Sequence, residues 1–388
     1  MSKTLKDLIF ITIFIIVTTI LVWLPHYLAM PNFLGLNFQG GFSTIYSNFD
    51  GLEYVVIAKT FYQPDLVVSL PAPQPAVYYA SHFPGYSIAI LLFAPILGFL
   101  KSMLFVSVLF TIASVITFYF LVKDFKLSGN PLLLSIIFTL LPARWLVVRS
   151  VGSAEPMFMF FTILSIYLFM KYESLQKYRY VVFSAIAALF ALITRSPGML
   201  LLISLVIYIH FKMYTDSKRI GFLKAWINHL RFFPFIIVPL GLLGIFYLYS
   251  LNMGDFWAYF HSGDNIHLTL PPFQSLNKNQ PWVGEIWLED IVYIYLLGLL
   301  AGLLLLKQKL YPMAFFVLTY LAAAFFVAHR DISRYTLPIV PFVIIAFEKI
   351  LTSREFKIVL VILSLAIYLY AQNFIIYNTA SIATFAPY

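Results

Sequence analysis

Apolar runs long enough to cross a lipid bilayer recur along the whole chain. A transmembrane helix needs roughly 17–25 predominantly apolar residues, and eleven windows of about this kind can be marked in the sequence. These windows are 8–28, 103–122, 131–148, 156–171, 180–194, 197–211, 232–250, 291–306, 312–328, 335–348 and 357–376. The pattern predicts an all-α polytopic membrane protein of about eleven transmembrane helices, with residues 1–388 forming a single integral membrane domain.

The composition leads to the same class. Hydrophobic residues make up 62% of the chain and charged residues 11%, against roughly 45–50% and about 25% in soluble domains. The net charge of +9 is spread over short loops between apolar runs, which indicates orientation in the membrane rather than nucleic-acid binding. The chain has no cysteine, so disulfides, cysteine-ligated zinc and a thiol nucleophile are excluded.

The loop charges predict a topology. If the short apolar run 84–100 enters and leaves on the same side, seventeen of the twenty-five basic residues share the side of the N-terminus; a full crossing leaves nine there. Because cytoplasmic loops are enriched in lysine and arginine, we expect a cytoplasmic N-terminus and a re-entrant or interfacial helix near 84–100. A long first outer loop with amphipathic helices (29–102) and a late outer loop (252–290) then lie on the outer face.

The first outer loop carries two carboxylates in the stretch NFDGLEYVVIAKTFY, residues 48–62. Asp50 precedes a helical pattern of apolar residues, and Glu53 follows in its first turn. This spacing predicts a short amphipathic helix on the membrane surface. Two interpretations stay open on the local pattern: the acids belong to a site, or Asp50 only caps the helix and Glu53 only favours its dipole.

A second pair of charges, Arg149 and Glu155, lies between the outer end of one predicted helix and the start of the next. Charged side chains this close to the membrane interior are costly, and their default interpretation is functional. The alternative is that Arg149 and Glu155 pair with each other in a buried salt bridge.

A third group lies in HRDISRYTLPIVPF, residues 329–342. His329, Arg330, Arg334 and Tyr335 fall at the outer mouth of a predicted helix. Because the forked guanidinium matches the oxygens of a phosphate, two arginines beside a histidine predict an anion site. The alternative is a set of interfacial anchors neutralised by Asp331.

The remaining signals are weaker. His82, in YYASHFPGY, is a substrate-binding candidate, although a lone loop histidine is more often structural. In the late loop, His261, Asp264 and His267 match no standard ligand spacing, so no metal site is predicted. The sequence contains neither G-x-x-x-x-G-K-[ST] nor G-x-G-x-x-G, the glycine-rich motifs that bind nucleotide phosphates. A transferase here would therefore need a donor that is itself in the membrane.

The order of these motifs resembles the GT-C superfamily of membrane glycosyltransferases. FDGLEYVVIAKTFY followed by HFPGYSIAILLFAPILG is similar to the first loop of the PIG-V-like mannosyltransferases, roughly W-D-G-x-W-Y-x-x-I-A-x-x-G-Y and then F-F-P-L-Y-P. RSVGSAEP resembles the family's second acidic loop, and SRYTLPIVP its late R-Y-x-x-P segment. The first-loop matches are Asp50, Gly51, Tyr54, Ile57, Ala58, Tyr62, Phe83, Pro84 and Tyr86, with departures at Phe49, Phe61, Gly85 and Ser87.

The resemblance implies an inverting enzyme that moves one sugar, mannose or another hexose, from a polyprenyl- or dolichyl-phosphate to a lipid, glycan or protein acceptor. It implies a site on the extracytoplasmic or lumenal face of the cell membrane or endoplasmic reticulum. Carried onto this chain, the family's first-loop aspartate is Asp50, the general base on the acceptor hydroxyl. A divalent ion serves some members of the superfamily, chiefly those with pyrophosphate donors, but nothing in the residues calls for one, and no cofactor is predicted.

The predicted catalytic residues are Asp50 and Glu155, and the predicted substrate-binding residues are Glu53, His82, Arg149, His329, Arg330, Arg334 and Tyr335. Two other classes compete with the enzyme. A lipid or glycolipid transporter or flippase would place ionisable groups near the bilayer midplane, usually with internal repeats, whereas these charges cluster on one face and no repeat is found. A catalytically inactive GT-C-like scaffold would be indicated by Asp50 and Glu155 lying far apart or away from any cavity.

Overall fold

The computed structural model describes residues 2–70, 74–263, 268–282 and 289–379. This part of the chain is built from helices and contains no β-strand, in agreement with the predicted all-α class. Its α-helices are α1 Lys3–Tyr27, α2 Ser43–Tyr46, α3 Gly51–Thr60, α4 Pro64–Ser69, α5 Gly85–Leu97, α6 Phe99–Asp124, α7 Pro131–Leu140, α8 Ala143–Val148, α9 Glu155–Leu175, α10 Arg179–Thr194, α11 Gly198–Ile220, α12 Phe222–His229, α13 Ile237–Met253, α14 Ala258–His261, α15 Glu289–Lys307, α16 Tyr311–Ala324, α17 Ile332–Tyr335, α18 Val340–Ala346, α19 Glu348–Leu351 and α20 Arg354–Tyr377. Turns of 3-10 helix occupy Ala76–Ser81, Leu230–Ile236, Gln274–Leu276 and Leu337–Ile339.

Seven helical segments of the described chain are long and apolar enough to cross a membrane: α1, α6, α9, α11, the run Phe222–Met253, α15 and α20. The other four predicted windows contain shorter apolar helices. Window 131–148 is split between α7 and α8 at Pro142, and window 335–348 begins with a 3-10 turn around Pro338. Proline lacks the N–H that a continuous helix needs, which accounts for both interruptions. The count of eleven crossings therefore remains a prediction.

Residues 84–100 form α5 and the beginning of α6. Gly98 lies between the two helices with a φ of +74°, a conformation that glycine adopts at no steric cost, and the helices pack against each other. At roughly 1.5 Å per residue, the 13 residues of α5 extend over about 20 Å, less than the ~30 Å of a hydrocarbon core. A helix of this length agrees with the predicted element that does not cross.

Small polar side chains join the central helices α6, α9 and α10. Ser165 Oγ donates to the Ser184 carbonyl at 3.0 Å, and Ser184 Oγ donates to the Ser165 carbonyl at 2.7 Å. Ser114 of α6 donates to the carbonyl of Pro156 at 2.9 Å. Small residues let membrane helices approach closely while their hydroxyls bond across the interface. The first turn of α9, which carries Glu155, is thus bonded to its neighbour.

Helix α3 differs from the amphipathic surface helix predicted for the first outer loop. Eight of its ten residues are buried. The ring of Tyr54 meets that of Tyr86 edge-on at 5.1 Å, and Ser87 Oγ donates to the Tyr54 carbonyl at 2.8 Å. The periodic pattern correctly indicates a helix, but the following segment of the same loop covers the face that the pattern assigned to the surface. The helix is therefore part of the core beneath the site.

The described part of the late outer loop is tied to the end of α16. The backbone N–H of Thr269 donates to the Phe326 carbonyl at 2.8 Å, and Trp282 Nε1 donates to the Ser275 carbonyl at 2.8 Å. Asp264 and His267 lie outside the described residues, so the predicted absence of a metal site around His261 stays a prediction.

Candidate active site

A cavity of about 1100 Å³ lies where the first outer loop, the α10–α11 turn, the end of α16 and residues 328–335 meet. This volume slightly exceeds the roughly 300–1,000 Å³ typical of small-molecule pockets. The charged and histidine side chains that line it are Asp50, His82, Arg144, Arg195, Asp290, His329, Arg330, Asp331 and Arg334. Tyr335 lines it as well, so six of the nine predicted site residues meet at one cavity.

Asp50 occupies the N-cap position of α3, but its carboxylate makes no capping hydrogen bond. It accepts instead from a terminal guanidinium nitrogen of Arg334 at 2.5 Å. Burial opposes ionisation of Asp50, but Arg334, with a smaller contribution from His82, outweighs it and holds the pKa of the carboxyl below its ordinary value. The helix-cap interpretation is therefore wrong for this side chain: it is an ionised carboxylate at the wall of a cavity.

Glu155 is the first residue of α9 and has no exposed surface. Its Oε1 accepts from Arg334 Nε at 2.6 Å and forms an ion pair with Arg195, while Oε2 accepts from Ser153 Oγ. A carboxylate in the first turn of a helix is also favoured by the helix dipole. Two guanidinium groups and a hydroxyl thus compensate a charge that would otherwise be costly to bury.

Arg334 connects the two predicted catalytic acids. Its guanidinium donates to Glu155 from one nitrogen and to Asp50 from another, and its face lies 4.2 Å from the centre of the Phe49 ring. Phe49 stacks in turn on Phe374 of α20 at 5.4 Å. A planar, permanently charged fork is suited to holding two carboxylates at a defined separation. Four sequence segments therefore form one charged cluster, which we call the Arg334 cluster (Asp50, Glu155, Arg195 and Arg334).

Arg149 lies elsewhere, and its predicted role in substrate binding is not supported. It has no exposed surface and does not line the cavity. Its guanidinium donates to the Thr139 carbonyl at 3.1 Å and to the hydroxyls of Thr19 and Thr18 at 3.0 and 2.8 Å. The alternative salt bridge with Glu155 is also wrong, because Glu155 pairs with two other arginines. Arg149 therefore joins the end of α8 to α7 and to α1.

The remaining predicted residues differ in how close they lie to the cavity. His82 lines it and contacts Ser81 Oγ through Nδ1 at 2.8 Å. His329 also lines it, and burial lowers its pKa, which Asp331 only partly offsets. Arg330 lines the cavity with an exposed side chain and makes no ion pair within the described residues. Glu53 is half-buried in the first turn of α3 and is not among the lining residues.

Two arginines at the cavity were not predicted as site residues. Arg195 follows α10 and pairs with Glu155. Arg144 pairs with Asp331 at 2.7 Å, and its guanidinium lies 3.8 Å from the centre of the Phe374 ring. The sequence places both on the predicted outer face, but neither lies beside a histidine and a second arginine, the pattern that selected Arg330 and Arg334.

Comparison with solved structures identifies the class of fold. The archaeal oligosaccharyltransferase AglB from Archaeoglobus fulgidus, in complex with an inhibitory peptide and a dolichol-phosphate, matches with a TM-score of 0.57 and 12% identity, over 97% of this chain and 56% of that one. The Archaeoglobus fulgidus oligosaccharyltransferase tethered to an acceptor peptide gives a TM-score of 0.55, 11% identity and the same coverage. The predicted GT-C fold is confirmed. The chain spans little more than half the length of these structures.

The sequence comparison is more specific. The family model of the dolichyl-phosphate-mannose-protein mannosyltransferases matches residues 98–260. The Pmt1-Pmt2 protein O-mannosyltransferase complex of S. cerevisiae, bound to its sugar donor, covers 72% of this chain and 38% of that one at 18% identity, but its TM-score of 0.40 is too low to indicate a shared fold. A search of curated proteins found no significant match. The superfamily prediction is confirmed, and within it the match is to this family rather than to the PIG-V-like enzymes.

Proposed function

We propose that this protein is a glycosyltransferase that takes a sugar from a lipid-phosphate carrier in the membrane. The observation that carries the proposal is that Asp50 and Arg334 line one large cavity, where Arg334 also holds Glu155, which is buried and does not itself line the cavity. The family match over residues 98–260 and the GT-C fold support the same class of enzyme. The finer proposal is that the sugar is mannose or another hexose and that a protein, glycan or glycolipid accepts it.

Asp50 is proposed as the general base. The acceptor hydroxyl attacks the anomeric carbon, its proton passes to the Asp50 carboxylate, and the bond from that carbon to the phosphate oxygen breaks with its electron pair leaving on the phosphate. A positioned base contributes roughly 10²–10⁴-fold to such a step. Attack from the face opposite the leaving group inverts the anomeric centre. Arg334 keeps the carboxylate ionised and directed at the cavity.

Arg330 is proposed to hold the lipid phosphate. It is the guanidinium of the cavity wall that makes no ion pair within the described chain, whereas Arg144, Arg195 and Arg334 are each paired with carboxylates. A cation beside the leaving oxygen stabilises the charge that develops there. His329, next to it, adds a hydrogen-bonding group at the same wall.

The residues do not fit a divalent ion of the kind used by some GT-C enzymes. Asp50 and Glu155 already share the guanidinium of Arg334, and no group of three histidine or acidic side chains in the described ranges could hold a metal. No step of the proposed reaction passes through a metal ion.

The two competing classes fit the geometry less well. The inactive scaffold would be favoured by acids far apart or away from a cavity, whereas Asp50 and Glu155 share one guanidinium beside an open volume. A flippase would be favoured by charges along a path through the bilayer, whereas the lining charges gather at the outer loops of the predicted topology.

We propose that the chain is an integral membrane protein whose N-terminus is cytoplasmic and whose active site lies on the extracytoplasmic or lumenal side. Because the chain has no cysteine, single cysteines report topology cleanly. A membrane-impermeant maleimide should label Asp65→Cys in intact cells or sealed vesicles of the native orientation, and Lys177→Cys only after permeabilisation. The reverse labelling would refute the proposed orientation.

Substitution of Asp50 tests the function. We expect Asp50→Asn to lower transfer from polyprenyl-phosphate mannose by about 10²–10⁴-fold, with the thermal unfolding midpoint and elution profile close to wild type. Asp65→Asn, at an exposed acid of α4 outside the cavity, serves as the matched control and should retain full activity. Near-normal turnover by Asp50→Asn on a confirmed substrate would exclude Asp50 as the base.

A further inference from the structure

The two segments that carry the acids touch at a pair of glycines. Gly51 directly follows Asp50, and Gly152 lies three residues before Glu155. A Cβ atom added to Gly51 would lie 2.8 Å from the Gly152 carbonyl oxygen and 3.1 Å from its Cα. Real Cβ atoms essentially never approach a backbone atom below 3.0 Å. The segments therefore pack backbone against backbone, at a distance that no other residue permits at position 51.

The side chain of Met103, in α6, packs against both glycines. A Cβ atom on Gly152 would meet the Met103 side chain at its Sδ, at Cε (2.6 Å) and at Cγ (2.8 Å), and one on Gly51 would lie 2.9 Å from its Sδ. Met103 is fully buried. The two glycines thus differ in what confines them: a rigid carbonyl group at Gly51, and a flexible side chain at Gly152.

The requirement at both glycines is space rather than backbone conformation. Neither has a φ in the left-handed region, unlike Gly98 with +74°. An alanine could adopt the same backbone angles at either position. What an alanine could not do at position 51 is leave the separation between the two segments unchanged.

This separation matters because of Arg334. Its rigid fork donates to Glu155 at 2.6 Å and to Asp50 at 2.5 Å, so both carboxylates must lie within a narrow range of positions. Segment 150–155 is buried throughout and is anchored by Trp23, whose Nε1 donates to the Ser150 carbonyl at 2.6 Å. Any added volume at the contact must therefore displace the Asp50 side more readily than the Glu155 side.

We propose that Gly51 and Gly152 are positioning residues that set the distance between the general base Asp50 and the Glu155–Arg334 pair. This rests on the proposed function. The glycines touch neither donor nor acceptor; they act by letting the start of α3 approach segment 150–155 closely enough for one guanidinium to hold both acids. A displacement of about 1 Å in such an arrangement can cost about 10²-fold in rate.

The test is a set of alanine substitutions. We expect Gly51→Ala to lower kcat by about 10–100-fold, with a smaller change in the donor KM, and a cryo-electron microscopy structure to show a longer Asp50–Arg334 distance with Arg334–Glu155 retained. Gly244→Ala is the control: Gly244 lies inside α13 with no atom within 4 Å of an added Cβ, and activity should not change.

A second pair of variants separates positioning from misfolding. Gly152→Ala should also lower kcat, and Met103→Ala should restore much of that loss because the three atoms nearest to the new Cβ all belong to the Met103 side chain. The same Met103→Ala should leave Gly51→Ala impaired, since the Gly152 carbonyl remains in place. A well-folded Gly51→Ala with wild-type kcat, or with reduced kcat and an unchanged Asp50–Arg334 distance, would overturn the positioning role.

The outcomes also separate this inference from the proposed function. If wild-type protein transfers no sugar, the proposed function fails, while the distance in the Gly51→Ala structure still tests the spacing. If wild type is active and Gly51→Ala equals it, only the positioning role fails.

Discussion

Arg334 and Arg149 are both buried arginines at helix ends that the sequence places on the outer face, and both were predicted to bind substrate. Arg334 is 7% exposed, lines the cavity and donates to two carboxylates. Arg149 has no exposed surface, and within the described chain it donates to a carbonyl and two threonine hydroxyls. A guanidinium held by carboxylates at a cavity can take part in catalysis, whereas one held by neutral oxygens in the core stabilises the packing of helices.

The sequence separations of the partners explain why the two could not be told apart beforehand. Arg334 finds its acids 284 and 179 residues away. Arg149 finds one acceptor 10 residues away and the others 130 and 131 residues away on α1. A local pattern shows that a charge lies close to the membrane interior, but the chemical identity of its partners depends on the tertiary fold.

Loss of Arg334 should have the largest effect. We expect Arg334→Gln to lower kcat by at least about 10²-fold, because a missing preorganised charge at a reacting centre commonly costs this much. Removing one partner from a buried ion pair also costs about 3–5 kcal/mol of stability. The measurements are single-turnover transfer and the unfolding midpoint in detergent.

The double variant Arg334→Gln with Glu155→Gln distinguishes the two losses. It restores the balance of charge in the cluster, because one carboxylate (Asp50) and one guanidinium (Arg195) remain, so the unfolding midpoint should recover in part while transfer stays low. If activity returned together with stability, the role of Arg334 would be structural, like that of Arg149.

Loss of Arg149 should affect stability alone. Arg149→Gln leaves two hydroxyls and a carbonyl short of donors, which costs about 1–3 kcal/mol for a buried unsatisfied group. We expect a lower unfolding midpoint and a kcat per folded molecule within about twofold of wild type, because the guanidinium does not reach the cavity. A reduced kcat at unchanged stability would mean that Arg149 acts on the site after all.

The smallest effect is expected in the pH profile. The pKa of Asp50 lies below its ordinary value of 3.8, so the base stays ionised and kcat/KM should not fall from this group until the pH drops through that lowered pKa. In Arg334→Gln, burial is no longer outweighed, and the acid limb of the residual activity should move to higher pH. An acid limb at the same pH in both proteins would show that Arg334 does not control the ionisation of Asp50.

The sequence predicted much of the fold and the central part of the site. Glu155 was selected because charges are costly beside the membrane, Arg334 because arginines beside a histidine predict an anion site, and Asp50 because of the family resemblance. The structure brings these three together. Arg195 was missed because a charge at a helix end has no distinctive local motif. The burial of α3 was missed because hydrophobic periodicity detects a helix but not the loop segments that cover its second face.

The separation of 284 residues between Asp50 and Arg334 has a consequence during synthesis of the chain. At roughly 5–20 residues per second, about 15 to 60 s pass between the emergence of the two residues from the ribosome. Throughout that interval Asp50 lacks the guanidinium that later holds it, and Glu155, which emerges later, can pair first with Arg195. Asp50 is therefore compensated only after the segment around residue 334 has inserted, so completion of the site follows insertion rather than accompanying it.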